Sequence, residues 1–365
     1  MSEAPERLPV SVLTGFLGSG KTTLLRHLLR QPSLSETAVV INEFGEIGLD
    51  HLLVESASED MVTIAGGCLC CTVRGDLVET LRRLYKRRAS GEIPAFRRVV
   101  IETTGLADPA PILQTLMQDP LLADVYRLDG VIATVDAVNG MDQLDRQAES
   151  VKQAAVADRI VLTKADLAGE TAGIEARLRR LNPAAPILHA VEGRVGVAGL
   201  FDAGLYNPAT KSLDVQRWLN EAAYAGAGDD HGHDHGAHHH EHGHGQDAAP
   251  LDRNRHDNHI RAFCLRWEKP LDWSKFLDWI EMLISLHGAN LLRIKGVLNV
   301  AGSTGPVAVH GVQHLFHPPV ELPAWPDADR GSRLVFITRD VDSDSLMRGL
   351  AAFQNEARIP GDNPA

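Results

Sequence analysis

A glycine-rich segment that ends in a lysine and a threonine constrains the fold of this chain more than any other feature. Residues 15–22 read Gly-Phe-Leu-Gly-Ser-Gly-Lys-Thr; they follow a β-branched run from Val10 to Thr14 and open a helix-like run from Thr22 to Leu29. A G-x-x-x-x-G-K-S/T loop between a strand and a helix surrounds a polyphosphate with backbone N–H groups. We therefore expect a nucleoside triphosphate to bind here.

The side chains of this loop have separate expected roles. Lys21 reaches the outer phosphates and is assigned to catalysis, and the Thr22 hydroxyl ligates Mg²⁺. The other nucleotide-binding positions are Gly15, Gly18, Ser19, Gly20 and Thr23.

Two later segments supply the other groups that such a loop requires. Glu102 ends an apolar run and is the expected acid of the Mg²⁺ shell and a catalytic residue, while Gly105 can donate its N–H to a γ-phosphate. The run Thr163-Lys164-Ala-Asp166 resembles the N-K-x-D base box of GTPases, with threonine in place of asparagine. An aspartate there can accept hydrogen bonds from guanine N1 and N2, a donor pair that adenine lacks. GTP is therefore favoured over ATP.

Short β-branched runs alternate with longer amphipathic segments in the first half of the chain, a pattern typical of a mostly parallel sheet flanked by helices. The predicted strands are Val10 to Thr14, Ala38 to Asn42, Arg98 to Glu102, Gly130 to Asp136 and Ile160 to Thr163. The predicted helices are Thr22 to Leu29, Leu77 to Arg88, Met141 to Ala157 and one with Pro109 in its first turn. The predicted fold class is an α/β P-loop NTPase domain over residues 8–205.

A change of composition then divides the chain. Residues 206–258 contain a tract of Gly, Asp and His with almost nothing apolar to bury, which indicates a flexible linker. Residues 259–355 read in the order β, α, β, β, β, α, which favours a small α+β domain with a helix-backed antiparallel sheet. Its predicted elements are a strand from Ile260, a helix from Asp272 to Leu286, strands at Leu291 to Val300, Pro306 to His314 and Arg333 to Thr338, and a helix from Ser343 to Phe353.

Three of the four cysteines lie within four residues, at Cys68, Cys70 and Cys71. Thiolates prefer borderline and soft ions, so Zn²⁺ is the first expected ligand and Co²⁺ the second, whereas Mg²⁺ and Ca²⁺ are excluded from a sulfur site. Chemistry alone leaves two alternatives open, three small buried side chains or a thiol redox pair. Cys264 lies apart in an alternating strand and is expected to be structural.

Glu43 lies in the segment Ile-Asn-Glu-Phe-Gly-Glu, where P-loop GTPases keep a switch that closes on the γ-phosphate. Its carboxylate is the expected partner of the cysteines in the metal site, or the group that orients the attacking water, and it is assigned to catalysis. If one segment touches both metal and γ-phosphate, each ligand must alter the affinity of the other. The alternative is an ordinary solvated acid.

Histidines form two further groups. Weak, multi-site metal binding is predicted in the linker, with a merely solubilising tract as the alternative, for His231, His233, His235, His238, His239, His240, His242 and His244. His310, His314 and His317 lie on or just after a strand, and two-residue alternation places the first two on one face. Local hydrogen bonding is favoured for these three over a metal relay.

The net charge narrows the range of partners. The chain has 48 acidic and 36 basic side chains, a net charge of −12. It should repel phosphate backbones, so no nucleic acid is expected as a partner. No apolar run of about 18 residues and no signal peptide are apparent. We therefore expect no membrane partner and a cytoplasmic location, where thiols stay reduced.

The segments GFLGSGKTT, INEFGE, GGCLCC, ETTG and TKAD occur in that order, and together they resemble the CobW-type metallochaperone GTPases, relatives of the GTPases that insert nickel into hydrogenase and urease. IRAF, RIKG and HGVQHLF are similar to the small C-terminal domain of that family. The resemblance implies GTP and Mg²⁺ at the P-loop, Zn²⁺ or Co²⁺ at the thiols, a nucleotide-dependent homodimer and a client metalloprotein. GGCLCC favours the zinc-associated branch over the cobalamin branch.

This sequence departs from the family pattern at two places in the base site. Thr163 replaces asparagine, and His189-Ala190 stands where a Ser-Ala pair often supports guanine. Both departures concern the choice of nucleotide and leave the expected fold unchanged.

The leading functional hypothesis is a GTPase that couples GTP binding and hydrolysis to metal delivery. The alternatives are a zinc-buffering or sensing protein whose affinity is adjusted by nucleotide, a cobalt chaperone in cobalamin biosynthesis, and a small-molecule kinase. A buffer needs no turnover stimulated by metal or client. A kinase needs an acceptor pocket with a base, and the sequence offers no residues for one.

Overall fold

The computed structural model describes residues 7–42, 74–197, 199–201 and 259–355, and the first part of the chain is built on a six-stranded parallel sheet. Its strands are β1 (Leu8–Gly15), β2 (Thr37–Asn42), β3 (Arg98–Thr103), β4 (Tyr126–Asp136), β5 (Arg159–Thr163) and β6 (Ile187–Ala190). They lie in the order β2-β3-β1-β4-β5-β6, and every neighbouring pair is parallel. The five predicted strands are all present, and β6 is an edge strand that the sequence pattern did not indicate.

Helices cover both faces of this sheet. They are α1 (Lys21–Leu29), α2 (Arg74–Ala89), α3 (Ala110–Gln118), α4 (Pro120–Val125), α5 (Gly140–Arg146), α6 (Ala148–Val156) and α7 (Ala172–Leu181). Val10 and Val12 of β1 lie in one core cluster with α2 and α3, whereas Leu13 lies in a second cluster with α1. Because alternate residues of a strand face opposite sides, β1 is buried on both, as is usual for a parallel sheet. The predicted α/β P-loop NTPase fold is confirmed.

The single helix predicted from Met141 to Ala157 is wrong. The chain instead forms α5 and α6, which meet at Gln147, where the backbone is extended at φ −121° and ψ 108°. No glycine or proline marks the break. Leu144 and Val151, one on each side of it, pack against the same core cluster. The apolar period therefore continues across the break, and spacing alone predicts one helix.

The second part of the described chain is an antiparallel sheet with two helices. Its strands are β7 (Ile260–Trp267), β8 (Leu291–Leu298), β9 (Val307–Val312), β10 (Leu315–Phe316), β11 (Val320–Glu321) and β12 (Ser332–Arg339), and its helices are α8 (Trp273–His287) and α9 (Ser343–Phe353). The strand order is β10-β9-β8-β12-β7, with β11 paired to β9. The predicted α+β domain is confirmed. Its two shortest strands, β10 and β11, have two residues each and are too short for a pattern to indicate.

Both faces of the second sheet are buried. On one face, Phe276 of α8 packs in a cluster with Phe336 of β12. On the other, Val335 of β12 belongs to a cluster that includes Ala154 of α6 and Leu178 of α7. The second sheet therefore packs between its own helices and the first domain. The predicted linker, residues 206–258, lies outside the described residues, so the boundaries 8–205 and 259–355 stay predictions.

A buried group of charges crosses the contact between the two domains. Asp158, the residue before β5, accepts hydrogen bonds from Arg293 and, at 2.7 Å, from Lys295 Nζ, both in β8. Its other oxygen accepts a hydrogen bond from the Val131 N–H of β4 at 2.9 Å. Burial opposes the charge of Asp158, but the two cations outweigh burial and hold the pKa of Asp158 well below its usual value. Removing this carboxylate would leave two buried cations, so it ties β8 to the first sheet.

Two histidine rings stack beside these charges. His310 and His317 are both buried, and their ring centroids are 4.6 Å apart with the planes at 8°. The alternation predicted for His310 and His314 does not hold, because β9 ends at Val312 and His314 lies exposed on the turn beyond it. Within the described residues, no group of three or more His, Cys, Asp or Glu side chains could hold a metal ion. In the described structure the pair is thus a stacked, buried contact beside the Asp158 charges.

Among the residues that the structure describes, no helix combines the length and the apolar character needed to span a bilayer.

The buried pair should make folding sensitive to acid. Burial, followed by the nearby Arg293, lowers the pKa of His317 from 6.5 to about 3. The unfolded chain thus takes up a proton near pH 6.5 that the folded chain refuses until about pH 3. The resulting stability is present above pH 6.5 and is lost as the pH falls through that window. From pH 7 to pH 5 we expect His317 to account for a loss of about 2 kcal/mol.

Urea unfolding at these two pH values measures the loss. His317→Phe should lose about 2 kcal/mol less than the wild type over the interval, while the exposed control His314→Phe should behave as the wild type does. Equal losses in all three proteins would contradict the assignment to His317.

Candidate functional site

The glycine-rich loop lies at the carboxyl end of β1 and leads into α1. Gly15 has φ +142°, and a Cβ added there would lie 2.2 Å from Thr134 Oγ1 and 2.5 Å from the Thr134 carbonyl oxygen. Gly20, at the N-terminus of α1, has φ +90° and ψ 17°, a left-handed conformation that favours glycine. The loop therefore approaches β4 closely and then turns sharply, so that α1 begins at the phosphate-binding residues.

Ser19 fixes the base of this loop. Its side chain is fully buried, and its Oγ shares a hydrogen bond of 2.6 Å with Thr134 Oγ1. Thr163 Oγ1 donates to the Ser19 carbonyl at 2.7 Å and to the Val135 carbonyl at 3.1 Å. Side chains from β4 and β5 therefore hold the loop from below. Thr134 is a supporting residue that the motif does not contain.

The side chain of Lys21 contacts the start of the glycine-rich loop. Its side chain is buried, and its Nζ donates to the carbonyls of Gly15 at 2.9 Å and Phe16 at 3.2 Å. This position keeps the ammonium group beside the backbone N–H groups that a polyphosphate would meet. The predicted phosphate contact of Lys21 is consistent with this position.

Thr22 and Glu102, both predicted to hold Mg²⁺, come together at the end of β3. Thr22 Oγ1 donates to Glu102 Oε1 at 2.7 Å, although the two residues belong to α1 and β3. Glu102 is 5% exposed at the end of β3. A hydroxyl and a buried carboxylate at the entrance of a glycine cradle are a donor set of hard oxygens, which fits Mg²⁺ with a nucleotide. The residues present therefore fit the group that the motif implies.

The segment after β3, residues 104–109, lies against the glycine-rich loop. A Cβ added to Gly105 would lie 2.7 Å from the Leu17 nitrogen and 2.8 Å from the Leu17 Cα, so only glycine allows the two loops to come this close. From the other side, Gln153 Nε2 of α6 donates to the carbonyls of Gly105 at 3.1 Å and Ala107 at 3.0 Å. Gln153 is 1% exposed and thus acts as an internal support for this segment.

The predicted base box lies at the end of β5. Lys164 has φ +56°, and its Nζ donates to Asp136 Oδ2 at 2.7 Å and to the Gly18 carbonyl at 2.9 Å. Burial raises the pKa of Asp136, but hydrogen bonds from Lys164 and Asn139 outweigh it, so the pKa lies below its usual value. Asp136 therefore stays charged and pairs with the lysine that crosses over the glycine-rich loop. No motif identifies Asp136; only its place at the end of β4 could have suggested it.

The remaining residues predicted to bind the nucleotide differ in exposure. Thr163 directs its hydroxyl to two backbone carbonyls and so supports the loop, while Asp166 and Thr23 are exposed. His189 Nε2 lies 3.1 Å from Glu175 Oε1, where a serine often stands in the family pattern. The contacts of Thr163, Lys164 and Asp166 with a base stay predictions.

Several predicted metal ligands fall in parts of the chain that the structure does not describe. Glu43, Cys68, Cys70 and Cys71 lie between Asn42 and α2, and the eight linker histidines lie between residues 202 and 258. The described part of β2 ends at Asn42, whose Cα partner across the ladder is Thr103. The undescribed segment with the cysteines therefore begins beside the strand that carries Glu102.

The close approach at Gly15 gives a direct test of the nucleotide site. Gly15→Ala would force a Cβ into Thr134 at a distance no real contact shows, so we expect nucleotide affinity to fall at least about tenfold. Gly173→Ala in α7 is the matched control, because nothing lies within 4 Å of an added Cβ there. Titration with a fluorescent guanine nucleotide measures both variants. Wild-type affinity in Gly15→Ala would contradict this placement of the phosphates.

Comparison with known proteins agrees with this arrangement. Residues 9–189 match the family model described as CobW/HypB/UreG, nucleotide-binding domain, and residues 260–354 match the cobalamin synthesis protein cobW C-terminal domain. The zinc chaperone YjiA of Escherichia coli is 32% identical over 347 residues, which cover 95% of this chain and 99% of that protein. The zinc chaperone CobW of a Sinorhizobium species is 26% identical over 380 residues, covering 95% and 97%.

A solved structure extends the likeness to three dimensions. The crystal structure of the Zn(II)-bound YjiA GTPase from E. coli has a TM-score of 0.67 and 31% identity, covering 95% of this chain and 99% of that one. Both domains and nearly the whole length of each chain are thus shared. The chain belongs to the CobW/HypB/UreG family.

Proposed function

We propose that this chain is a zinc metallochaperone, in which GTP binding and hydrolysis control delivery of the metal to a client metalloprotein. The chain is a P-loop GTPase of the CobW/HypB/UreG family, and relatives that share both of its domains are named zinc chaperones. One contact supports the coupling most directly, the hydrogen bond between Thr22 and Glu102. Glu102 lies on β3, the neighbour of β2, and β2 ends at Asn42, the residue before Glu43.

The nucleotide half of the mechanism follows from the described residues. Lys21 binds the outer phosphates, the backbone of the glycine-rich loop surrounds them, and Thr22 with Glu102 would hold Mg²⁺. Mg²⁺, when bound, neutralises charge that develops on the phosphates during transfer. Gly105 donates its N–H to the γ-phosphate and so distinguishes GTP from GDP. Asp166 accepts hydrogen bonds from guanine, which selects GTP over ATP.

The proposed site for the cargo metal is inferred from the sequence. Cys68, Cys70 and Cys71 bind the cargo ion as thiolates, with zinc ahead of cobalt, and Glu43 completes the ligand set or orients the attacking water. Because Glu43 directly follows Asn42 of β2, which pairs with Thr103 of β3, a change at the γ-phosphate can alter the metal site through Glu43. By linkage, metal must then alter nucleotide affinity. The histidines of the linker would serve as a weak reservoir.

Exposed apolar side chains at the carboxyl ends of the parallel strands, where the glycine-rich loop lies, suggest a protein partner. Leu17, Leu106 and Leu167 follow β1, β3 and β5, and they are 52%, 55% and 69% exposed. Three exposed leucines around one ligand site are typical of an interface. We assign them to a nucleotide-dependent homodimer, which would close over the bound GTP.

The competing hypotheses predict different responses of GTP turnover. A zinc buffer or sensor predicts no stimulation of hydrolysis by metal, a cobalt chaperone predicts a larger response to cobalt than to zinc, and a kinase predicts phosphoryl transfer to an acceptor. The names of the relatives favour zinc.

GTP turnover with Mg²⁺, with and without stoichiometric Zn²⁺ or Co²⁺, is the corresponding measurement. Zn²⁺ should change the wild-type rate by about fivefold or more, and Cys70→Ser and Cys71→Ser should abolish that response because the thiolates that bind metal are gone. Cys264→Ser is the matched control, since Cys264 packs in the core cluster between the domains. If metal leaves the rate of GTP hydrolysis unchanged in all four proteins, the coupling is contradicted, and the chain is a GTPase whose cysteines have another role.

A further inference from the structure

The segment of residues 104–109 receives a contact from the C-terminal domain that the proposed function does not use. Asp108 Oδ2 accepts a hydrogen bond of 2.8 Å from Gln313 Nε2, and these residues are 205 positions apart in the chain. Asp108 lies three residues after Gly105, the proposed γ-phosphate donor. Gln313 lies on the turn between β9 and β10. The C-terminal domain thus reaches the segment that distinguishes GTP from GDP.

The Asp108 carboxylate is held from three directions. Its Oδ1 accepts from the Ala110 N–H at the start of α3 at 3.0 Å, and Lys152 Nζ of α6 lies 3.4 Å from its Oδ2. Gln313 supplies the third contact. Because Oδ1 and Oδ2 belong to one rigid group, a shift of the 104–109 segment must change the contact with Gln313. The carboxylate can therefore transmit a displacement of that segment to the second domain.

The turn that carries Gln313 cannot follow such a displacement freely. Val312 and Leu315, which flank it, are 1% and 5% exposed and belong to the same core cluster as Leu113 and Leu116 of α3. The Gln313 N–H also donates to the Leu291 carbonyl at 2.8 Å. A turn fixed by apolar packing and a backbone hydrogen bond presents its amide group at a defined position.

We propose that Gln313 is a positioning residue that couples the C-terminal domain to the 104–109 segment, so that the state of that domain sets the preference of the site for GTP over GDP. In the described arrangement a Cβ added to Gly105 would meet the backbone of Leu17, so the 104–109 segment lies directly against the glycine-rich loop. Gln313 stabilises this arrangement through Asp108. A client that binds the C-terminal domain would change hydrolysis by the same route. This inference rests on the proposed γ-phosphate role of Gly105.

Nucleotide selectivity is the property that separates positioning from a merely structural role. In the full chain, the ratio of the Kd for GDP to the Kd for a non-hydrolysable GTP analogue is measured with Mg²⁺ present. Gln313→Met keeps the length of the side chain and removes the donor, and it should lower the ratio by about tenfold, the effect of one hydrogen bond to a charged group. Gln313→Glu, which faces Asp108 with a like charge, should lower it further.

Two comparisons control for general damage. Gln354→Met removes the same kind of side-chain amide contact in the same domain, where the amide group of Gln354 bonds to the backbone N–H and carbonyl of Asp272, and it should leave the ratio unchanged. In an Asp108→Asn background, Gln313→Met should have a much smaller effect, since the partner charge is already absent. Thermal unfolding of each variant identifies any that is poorly folded.

The outcomes are distinct. An unchanged ratio in a folded Gln313→Met protein, with a wild type that prefers the GTP analogue, would overturn the coupling and leave the proposed function intact. A wild type that binds both nucleotides equally would contradict the γ-phosphate role of Gly105, and this inference would fail with it. A tenfold loss confined to the Gln313 variants would support the coupling.

Discussion

The hydrogen bonds that hold Ser19 are the constraint on which the rest of the site depends. Ser19 is fully buried between Thr134 of β4 and Thr163 of β5, so the middle of the glycine-rich loop is fixed to two strands of the sheet. Lys21, Thr22 and the start of α1 take their positions from that anchor. A loop left to solvent would lose its shape to conformational entropy, whereas this one is preorganised for an anion.

Hydrogen bonds also fix the segments that surround the glycine-rich loop. The 104–109 segment is held against the loop by Gln153 of α6, and Lys164 crosses over the loop to reach Asp136. α6 in turn packs against the second sheet, and Asp158 bonds to two cations of β8. The C-terminal domain is therefore joined to the nucleotide site through a continuous set of buried contacts. A protein bound to that domain would therefore have a physical path to the nucleotide site.

Much of this fold could be predicted because its determinants are local in sequence. Short β-branched runs with intervening amphipathic segments indicate the strand and helix order. The glycine-rich motif indicates Thr22, and the end of an apolar run indicates Glu102, the residue to which Thr22 donates a hydrogen bond. Gln147 was missed because its break in the helix leaves the apolar period intact.

The supports of the site could not be predicted in the same way. Thr134, Asp136 and Gln153 act through hydrogen bonds to residues far away in the chain, and threonine, aspartate and glutamine carry no spacing that indicates such roles. The contact between Asp108 and Gln313 depends on how two domains pack, which no single-sequence pattern records.

Reciprocal linkage between zinc and nucleotide tests the central claim most directly. Zinc affinity would be measured by competition with a chelating indicator in the presence of Mg²⁺ with GDP and then with a non-hydrolysable GTP analogue, and the affinity of both nucleotides would be measured with and without zinc. A metallochaperone with coupled sites predicts that zinc affinity differs by about tenfold or more between the two nucleotides, and that zinc changes their relative affinity by the same factor. Equal zinc affinity with both nucleotides would contradict the coupling of GTP hydrolysis to metal delivery.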